Sequence, residues 1–389
     1  MRQGVDVVLR KGRVGEEEEG KDKDFKDPKD LKDLKKMKQS LSGMTPTELE
    51  AVVAELGQPR FVAKQLGQWL YKKQIFSFDE MTNVSKKVRE LLSERYELGR
   101  SKPVRKSVSK DGTVKYLFAV AEGRTVESVY IPDGDRATLC VSSQVGCKMG
   151  CRFCMTGRQG FEANLSAGEI LNQIYALPEF ERLTNIVFMG QGEPFDNTDA
   201  VMRSLEILTA EWGLAWSPKR ITVSTVGVMR GLQRFLRDSH CNLAISLHFA
   251  FANDRAEHMP AQKPYPIEDV VEMLRHEDFC RDSDEDNPRE GSHQRRLSFE
   301  YILFEGINDK VHHLDRIVKL LRGLDCRVNL IPFHRIPDSP YRGATPDKLM
   351  RTRNYLTSKG VFTTVRASRG EDIEAACGLL NTRHNNEKD

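Results

Sequence analysis

The stretch Gly146-Cys147-Lys148-Met149-Gly150-Cys151-Arg152-Phe153-Cys154 contains three cysteines with the spacing C-x3-C-x2-C. A structural zinc site usually takes four ligands in two pairs, and no second C-x2-C pair occurs in the 389 residues. Three neighbouring thiolates suit three irons of a [4Fe–4S] cluster and leave the fourth iron open. Because an open iron can bind and reduce a ligand, the spacing favours a redox-active cluster, with a zinc site as the alternative.

This spacing, with an aromatic residue directly before the last cysteine, resembles the signature of the radical S-adenosylmethionine (SAM) enzymes. In that superfamily the open iron chelates the amino and carboxylate groups of SAM and passes one electron to it. The resemblance implies that Cys147, Cys151 and Cys154 ligate one [4Fe–4S] cluster per chain and that SAM is the second cofactor.

Composition limits the class of protein further. The hydrophobic share is 39% and the formal net charge is +3, which by itself does not indicate a nucleic-acid partner. No apolar run approaches the ~18 residues of a membrane span, and the N-terminus lacks the apolar region of a signal peptide. Eight cysteines, three of them clustered, favour metal or redox chemistry over secreted disulfides. We therefore expect a cytoplasmic protein without membrane association.

The charged segments have two interpretations. Residues 1–41 contain many Lys, Asp and Glu and few apolar residues, so they cannot bury enough surface to fold, and we expect a disordered tail. Residues 100–106 form a basic cluster, and residues 319–327 a weaker one. Each cluster would suit RNA phosphates or a solvated surface.

A small helical region follows the tail. Thr45 is an N-cap candidate with Pro46 just inside the helix. Apolar residues then recur at helical spacing in three segments, 49–56, 61–73 and 85–96. The pattern predicts an all-helical accessory domain at residues 42–100. Its Lys64, Lys72 and Lys73 would face RNA or solvent.

The remaining chain predicts an α/β barrel. Two strands at 114–120 and 125–131 precede the cysteine loop, and six helix-then-strand units follow it. The helices are predicted at 167–176, 200–209, 229–237, 267–274, 311–321 and 346–359, and the strands at 185–189, 220–224, 242–246, 297–303, 328–332 and 361–365. Such alternation indicates a parallel sheet with helices on its outer face, as in a partial (open) TIM-like (βα)6 radical SAM barrel.

The barrel domain is predicted at residues 101–383, with a β extension at its N-terminal side and a short tail at 384–389. Residues 281–294 interrupt one unit and predict a surface insertion. Cys241, Cys280 and Cys326 lie outside any functional pattern and are interpreted as structural.

Polar residues at the predicted strand ends are candidate ligand contacts, because parallel sheets bind ligands at the carboxyl ends of their strands. Residues 189–194 end a strand with Gly192 and Glu193, where glycine permits a close approach and the carboxylate can accept hydrogen bonds from an ammonium group. Further strands end near Ser224, near Ser246 with His248, and near His334. For the serines, capping of the following helix is an equally good interpretation.

Longer motifs extend the resemblance to the RlmN/Cfr family of radical SAM RNA methyltransferases. The similar segments are Thr138 to Cys147, Phe153 to Phe161, Arg366 to Ile373 and Ala376 to Leu380. The RlmN branch is more similar because the cluster loop ends in Gln-Gly-Phe. The resemblance implies a SAM site lined by Gly192, Glu193, Ser224, Ser246, Leu247, His248 and His334. Many members have Asn in place of His334, and Gln191 stands where Met or Gly is usual.

The resemblance also implies how three further residues act. Carbon 2 of adenine is electrophilic and cannot take a methyl group from SAM by ordinary displacement. Cys377 would accept a methyl group from one SAM, and a second SAM would yield a 5′-deoxyadenosyl radical that removes a hydrogen atom from it. The carbon radical would add to adenine C2, Glu127 would remove the C2 proton, and Cys140 would attack the Cys377 sulfur to leave a disulfide. From local sequence alone, Cys377 would be a buried small residue and Glu127 an exposed strand residue.

The implied function is methylation of adenine C2 in 23S rRNA, at the peptidyl transferase centre, and in tRNA, beside the anticodon. The implied partners are these RNAs and an electron donor such as flavodoxin or ferredoxin, with the enzyme acting as a monomer. Two alternatives remain open. One is a Cfr-type activity at adenine C8. The other is a non-catalytic RNA-binding module in which Cys140, Cys147, Cys151 and Cys154 hold one zinc ion.

Overall fold

A computed structural model describes residues 38–277, 279 and 295–380. Most of the predicted N-terminal tail, the 281–294 insertion, Cys280 and the 384–389 tail lie outside the described residues. The predicted end of the tail is wrong. Gln39–Ser40 forms strand β1, and Leu41 is fully buried, so these residues belong to the folded chain. Apolar burial of Leu41 holds this segment in place, although residues 32–38 just before it are mostly charged.

Three short helices form the first part of the fold, as predicted. They are α1 (Pro46–Glu55), α2 (Phe61–Tyr71) and α3 (Lys86–Arg95), and β2 (Tyr96–Glu97) then pairs in parallel with β1. The start of α1 is a capping box, because Thr45 Oγ1 accepts from Glu48 N at 3.3 Å and Glu48 Oε2 accepts from Thr45 N at 2.6 Å.

The helical region packs on the barrel through aromatic side chains. The ring of Tyr71 lies 6.2 Å from that of Tyr175 and 5.8 Å from that of Trp212. The Arg100 guanidinium lies over the Tyr175 ring at 4.5 Å. The apolar core of the helices is therefore continuous with the core of the barrel.

A ten-stranded sheet forms the body of the protein. Its antiparallel part is β3 (Arg105–Val108), β4 (Val114–Ala119) and β5 (Thr125–Asp133), and β5 pairs with β6 (Arg136–Cys140). Two short strands, β7 (Gln144–Gly146) and β8 (Phe161–Asn164), pair separately on either side of the cysteine loop.

The parallel part confirms the predicted barrel. Its further strands are β9 (Asn185–Phe188), β10 (Ile221–Thr225), β11 (Asn242–Ser246), β12 (Leu297–Leu303), β13 (Arg327–Pro332) and β14 (Phe362–Val365). The helices from the cysteine loop onward are α4 (Met155–Gln159), α5 (Ala167–Tyr175), α6 (Thr198–Thr209), α7 (Met229–Asp238), α8 (Ala252–His258), α9 (Ile267–His276), α10 (Val311–Leu321) and α11 (Pro346–Ser358). The strand order β14-β13-β12-β11-β10-β9-β6 makes each neighbouring pair parallel, so all carboxyl ends lie at one edge.

Candidate active site

The cysteine loop is shaped by glycine at its base. Gly146 has φ +71°, and a Cβ there would lie 1.7 Å from Gly160 O, so no other residue fits without moving the backbone. Cys147 N donates to Gly160 O at 3.1 Å and Cys154 N donates to Cys151 O at 3.2 Å. These contacts bring the two ends of the loop together, and α4 begins directly after its last cysteine.

The three thiols suit a cluster that takes one thiolate at each of three irons. Burial raises the pKa of the Cys151 thiol to about 12, and the nearby Cys154 adds to the shift. Burial also raises the pKa of Cys147 and of Cys154. Such thiols lose their protons when a metal binds, so the donor set fits an iron–sulfur cluster.

An aromatic cluster anchors the loop. Phe153 is buried, and its ring centroid lies 5.3 Å from that of His248 and 5.4 Å from that of Phe304. Burial lowers the pKa of His248 to about 3, and the Arg255 cation contributes to this shift. His248 is therefore neutral at physiological pH, and its Nδ1 accepts from Ile302 N at 3.2 Å.

Gln144 and Asp196 tie the loop to the turn after β9. Gln144 Oε1 accepts from Glu193 N at 2.9 Å, and Gln144 Nε2 donates to Asp196 Oδ2 at 2.7 Å. Asp196 also pairs with Lys148, inside the cysteine loop, at 2.9 Å. The loop and the turn with Gly192 and Glu193 thus form one hydrogen-bonded unit.

The Glu193 carboxylate is buried and hydrogen-bonded. Oε1 accepts from Thr225 Oγ1 at 2.6 Å and from Phe195 N at 3.1 Å, while Oε2 accepts from Val226 N at 2.9 Å. Burial raises its pKa to about 7 despite these bonds. Two carboxylate oxygens accept about four hydrogen bonds, so capacity remains for an ammonium group. The hydroxyl that contacts Glu193 belongs to Thr225, which is adjacent to the predicted SAM residue Ser224.

Arg255 is a site residue that sequence analysis missed. It is fully buried, and its guanidinium donates to Val226 O at 2.9 Å, Ser246 O at 3.1 Å and Leu247 O at 3.3 Å. Burial lowers its pKa to about 10, which leaves it charged. These bonds fix the carboxyl ends of β10 and β11, where the predicted SAM residues lie. A lone arginine in a short helix gives no sequence signal for this role.

A cavity of about 380 Å³ brings the remaining cysteines together. Cys140, Cys154 and Cys377 all line it, as does His334, whereas Glu127 and the other predicted SAM residues do not. Cys377 is solvent-exposed within the cavity, which corrects the local expectation of a buried residue.

The Cys377 segment is held beside the cysteine loop. Met155 N donates to Gly378 O at 2.8 Å, and Thr156 Oγ1 donates to Leu380 O at 2.7 Å. These two contacts join the segment to the first turn of α4, directly after Cys154.

Arg366 brings a cation to both thiols of the proposed disulfide. Its Nε pairs with Glu300 at 3.1 Å, and it lines the cavity with Cys140 and Cys377. Burial raises the pKa of Cys140 to about 12, and the Arg366 cation opposes the shift. Cys377 is reached by solvent through the cavity, but the protein around its thiol displaces part of the water and raises its pKa, and Arg366 again opposes the shift.

Glu127 lies on β5 and is buried, contrary to the expectation of an exposed strand residue. Its Oε1 pairs with Lys115 Nζ at 3.0 Å, and Lys115 also donates to Glu374 O at 3.3 Å. The side chains of Glu127, Val129 and Ile131 share one face of β5, and Ile131 lines the cavity. Glu127 itself does not line the cavity; Ile131, four residues further along the same face of β5, does.

The fold and the cysteine loop define a radical SAM enzyme, and comparisons with known proteins agree. Residues 141–280 match the profile described as "Radical SAM superfamily", and residues 39–98 match "Ribosomal RNA large subunit methyltransferase N-terminal domain". A radical SAM methyltransferase from Sphaerobacter thermophilus has a similar structure, with TM-score 0.80, 38% identity, and coverage of 88% of this chain and 99% of that one.

The chain belongs to the RlmN family of dual-specificity RNA methyltransferases. It is 58% identical over 342 residues, 88% of this chain and 96% of the other, to "Probable dual-specificity RNA methyltransferase RlmN" of Bacteroides fragilis. It is 39% identical over 349 residues, 88% of this chain and 92% of the other, to the RlmN protein of Marinobacter nauticus. It is therefore a SAM-dependent methyltransferase whose cofactors are a [4Fe–4S] cluster and SAM. Across the described residues, no helix combines the length and apolar character needed to cross a membrane.

Proposed function

We propose that this enzyme methylates carbon 2 of adenine in 23S rRNA and in tRNA, with the methyl group carried on Cys377. The observation that supports this most is the shared cavity, in which Cys140 and Cys377 lie with the cluster cysteine Cys154. A methyl-carrying thiol and a second thiol that can displace it need this proximity.

Two sets of residues would hold the cofactors. Cys147, Cys151 and Cys154 would ligate the cluster, and the SAM site would be lined by Gly192, Glu193, Ser224, Ser246, Leu247, His248 and His334. When bound, the cluster and SAM supply a methyl donor and a hydrogen-abstracting radical at the carboxyl ends of the strands. Arg255 and Gln144 position the backbone of this site through the hydrogen bonds described above.

Side chains of the protein carry out the remaining chemical steps. The Cys377 thiolate displaces a methyl group from the SAM sulfonium, forming a C–S bond. The S-methyl group loses one hydrogen atom and bonds to adenine C2 through carbon. Glu127 would take the C2 proton, and the one electron released from the adduct would return to the cluster, which had supplied one electron to SAM, so that no external oxidant is needed. The Cys140 thiolate then attacks the Cys377 sulfur, the bond from that sulfur to the transferred carbon breaks, and a proton completes the new methyl group.

The partners follow from the family and from the surface. The substrates are 23S rRNA and tRNA, which the enzyme meets in the cytoplasm. Three exposed lysines of the helical region, Lys64, Lys72 and Lys73, would bind phosphates of the RNA near the target. An electron donor such as flavodoxin or ferredoxin reduces the cluster. The enzyme acts as a monomer.

Three cysteine variants test the proposal. Cys154→Ala should lose iron and all SAM cleavage, because two thiolates hold a cluster weakly. Cys377→Ala should keep iron yet give no methylated RNA, since the methyl acceptor is gone. Cys326→Ala is the matched control, because Cys326 does not line the cavity, and it should retain both properties. Methylated RNA from Cys377→Ala, or normal iron in Cys154→Ala, would refute these roles.

A further inference from the structure

The amino ends of the barrel strands carry a cluster of arginines that the cysteine chemistry does not use. Arg136 begins β6, Arg296 directly precedes β12, and Arg327 begins β13. Phe362, which is 58% exposed, begins β14, and the Arg327 guanidinium lies 5.6 Å from the centre of its ring. We call these four residues the basic rim. They lie at the opposite edge of the sheet from the cysteine loop.

Among the residues that the structure describes, no acidic side chain forms an ion pair with the basic rim. None of its three guanidinium groups forms an ion pair with a described carboxylate, and Arg296 donates only to the backbone oxygen of Lys219, at 3.2 Å. Partial burial lowers the pKa of Arg296, and the cations of Arg327 and Arg136 contribute to the shift. Asp133, the one carboxylate among the described cavity-lining residues, pairs with Arg369 at 2.8 Å. Asp133 stands opposite Arg136 in the strand pair but forms its ion pair with Arg369, so the arginines of the rim still repel one another and favour binding of an anion.

The basic rim opens into the cavity that contains the thiols. Arg136 and Arg296 line this cavity together with Asn185 and Thr222, which stand at the amino ends of their strands. Cys140, at the carboxyl end of the same strand as Arg136, lines it as well. Four residues of a strand span about 13 Å, so the cavity runs along the barrel from the rim to the thiols.

We propose that the substrate RNA meets the enzyme at the basic rim, where Arg136 and Arg296 bind phosphates flanking the target nucleotide. This inference rests on the proposed function. The target adenine must leave its stack to reach a methyl group inside the barrel, and its phosphates then stay at the cavity mouth. Phe362, backed by Arg327, provides a stacking surface for a neighbouring base.

The salt dependence of RNA binding tests whether the basic rim binds phosphates of the RNA. The probe is a fluorescent RNA hairpin with an unpaired adenosine in its loop, and Kd is measured by anisotropy over a series of NaCl concentrations. Each single-stranded phosphate contact contributes about 0.7 to the slope of log K against log salt. Arg136→Gln and Arg296→Gln should each lower the slope by about 0.7, whereas Phe362→Ala should weaken binding about tenfold at an unchanged slope.

Two controls make the result decisive. The charge-keeping variants Arg136→Lys and Arg296→Lys should retain the wild-type slope. Arg351→Ala should behave as wild type, because Arg351 pairs with Asp347 on its own helix at 3.1 Å and lines neither the cavity nor the surface around Phe362. Gln variants with the same slope as Arg351→Ala would overturn the proposal, as would Lys variants whose slope falls to that of the Gln variants. Nucleoside analysis of RNA treated with the wild-type enzyme tests the proposed function separately, because a missing 2-methyladenosine product refutes that function whatever the slopes are.

Discussion

The variant Gly192→Ala tests most directly whether the backbone conformation of the turn after β9 is needed for SAM binding. Gly192 has φ +100°, and a Cβ built there lies 2.6 Å from Gln144 Cβ and 2.8 Å from Gln144 N. The left-handed backbone costs about 1–2 kcal/mol for alanine, and the overpacking costs about 1–3 kcal/mol. We expect a total of about 3 kcal/mol.

This energy has two measurable consequences. With ~2.1 cal/mol/K of unfolding entropy per residue over roughly 340 folded residues, unfolding entropy is ~0.7 kcal/mol/K, so Tm should fall by about 4 °C. Relief of the clash must displace Gln144, whose Oε1 accepts from Glu193 N at 2.9 Å. Because about 1.4 kcal/mol is a factor of ten, the loss of this placement should weaken SAM binding at least tenfold.

Gly123→Ala provides the matched control. Gly123 has φ +71°, and a Cβ there meets nothing within 4 Å. It should therefore carry only the backbone cost of about 1–2 kcal/mol, lowering Tm by about 2 °C without any effect on SAM. Differential scanning calorimetry and equilibrium SAM binding to the cluster-loaded enzyme supply the two readouts. Wild-type SAM affinity in Gly192→Ala would refute the assignment of this turn to the SAM site.

Further predictions concern Cys140 and Arg255. Cys140→Ala should permit methyl loading and addition but block release, so nucleotide mass should remain on the Cys377 peptide after nuclease digestion; repeated turnover without this adduct would contradict the role. Because the pKa of Cys140 is raised to about 12, its thiolate fraction rises tenfold per pH unit below that value, and single-turnover product release should accelerate about tenfold from pH 7 to 8; a flat profile would show that thiolate formation does not limit release. Arg255→Met should leave three backbone carbonyls without their charged donor. The free energy of unfolding, measured with denaturant, should fall by about 3 kcal/mol or more, and SAM should bind more weakly. An unchanged free energy of unfolding would contradict this role.

Sequence patterns predicted local structure well because helix and strand periodicity are local properties. The capping box at Thr45 and the helix–strand alternation after the cysteine loop are confirmed almost residue for residue. Strands β3 and β6 were not predicted, since their segments are short and contain basic residues. Pairing stabilises them, β3 with β4, and β6 with β5 and the more distant β9. The sequence pattern also did not predict that Tyr71 packs on Tyr175. For this reason, point variants of exposed lysines test RNA binding better than deletion of the helical region, which would expose a buried aromatic face.

The site was predictable where a motif carries the chemistry and unpredictable where tertiary contacts do. The cysteine spacing indicated a cluster, and the resemblance indicated the pairing of Cys140 with Cys377. No sequence pattern indicated that Thr225 contacts Glu193, or that Lys115 pairs with Glu127. These contacts depend on strand register and on loops that meet only in the folded chain.

The most direct test of the account uses SAM with a fully deuterated methyl group and mass spectrometry of nucleosides from the treated RNA. The account predicts 2-methyladenosine whose new methyl group carries two deuterium atoms and one hydrogen, because the S-methyl group on Cys377 loses one atom before transfer and gains a solvent proton after it. A methyl group with three deuterium atoms, or 8-methyladenosine as the main product, would contradict it.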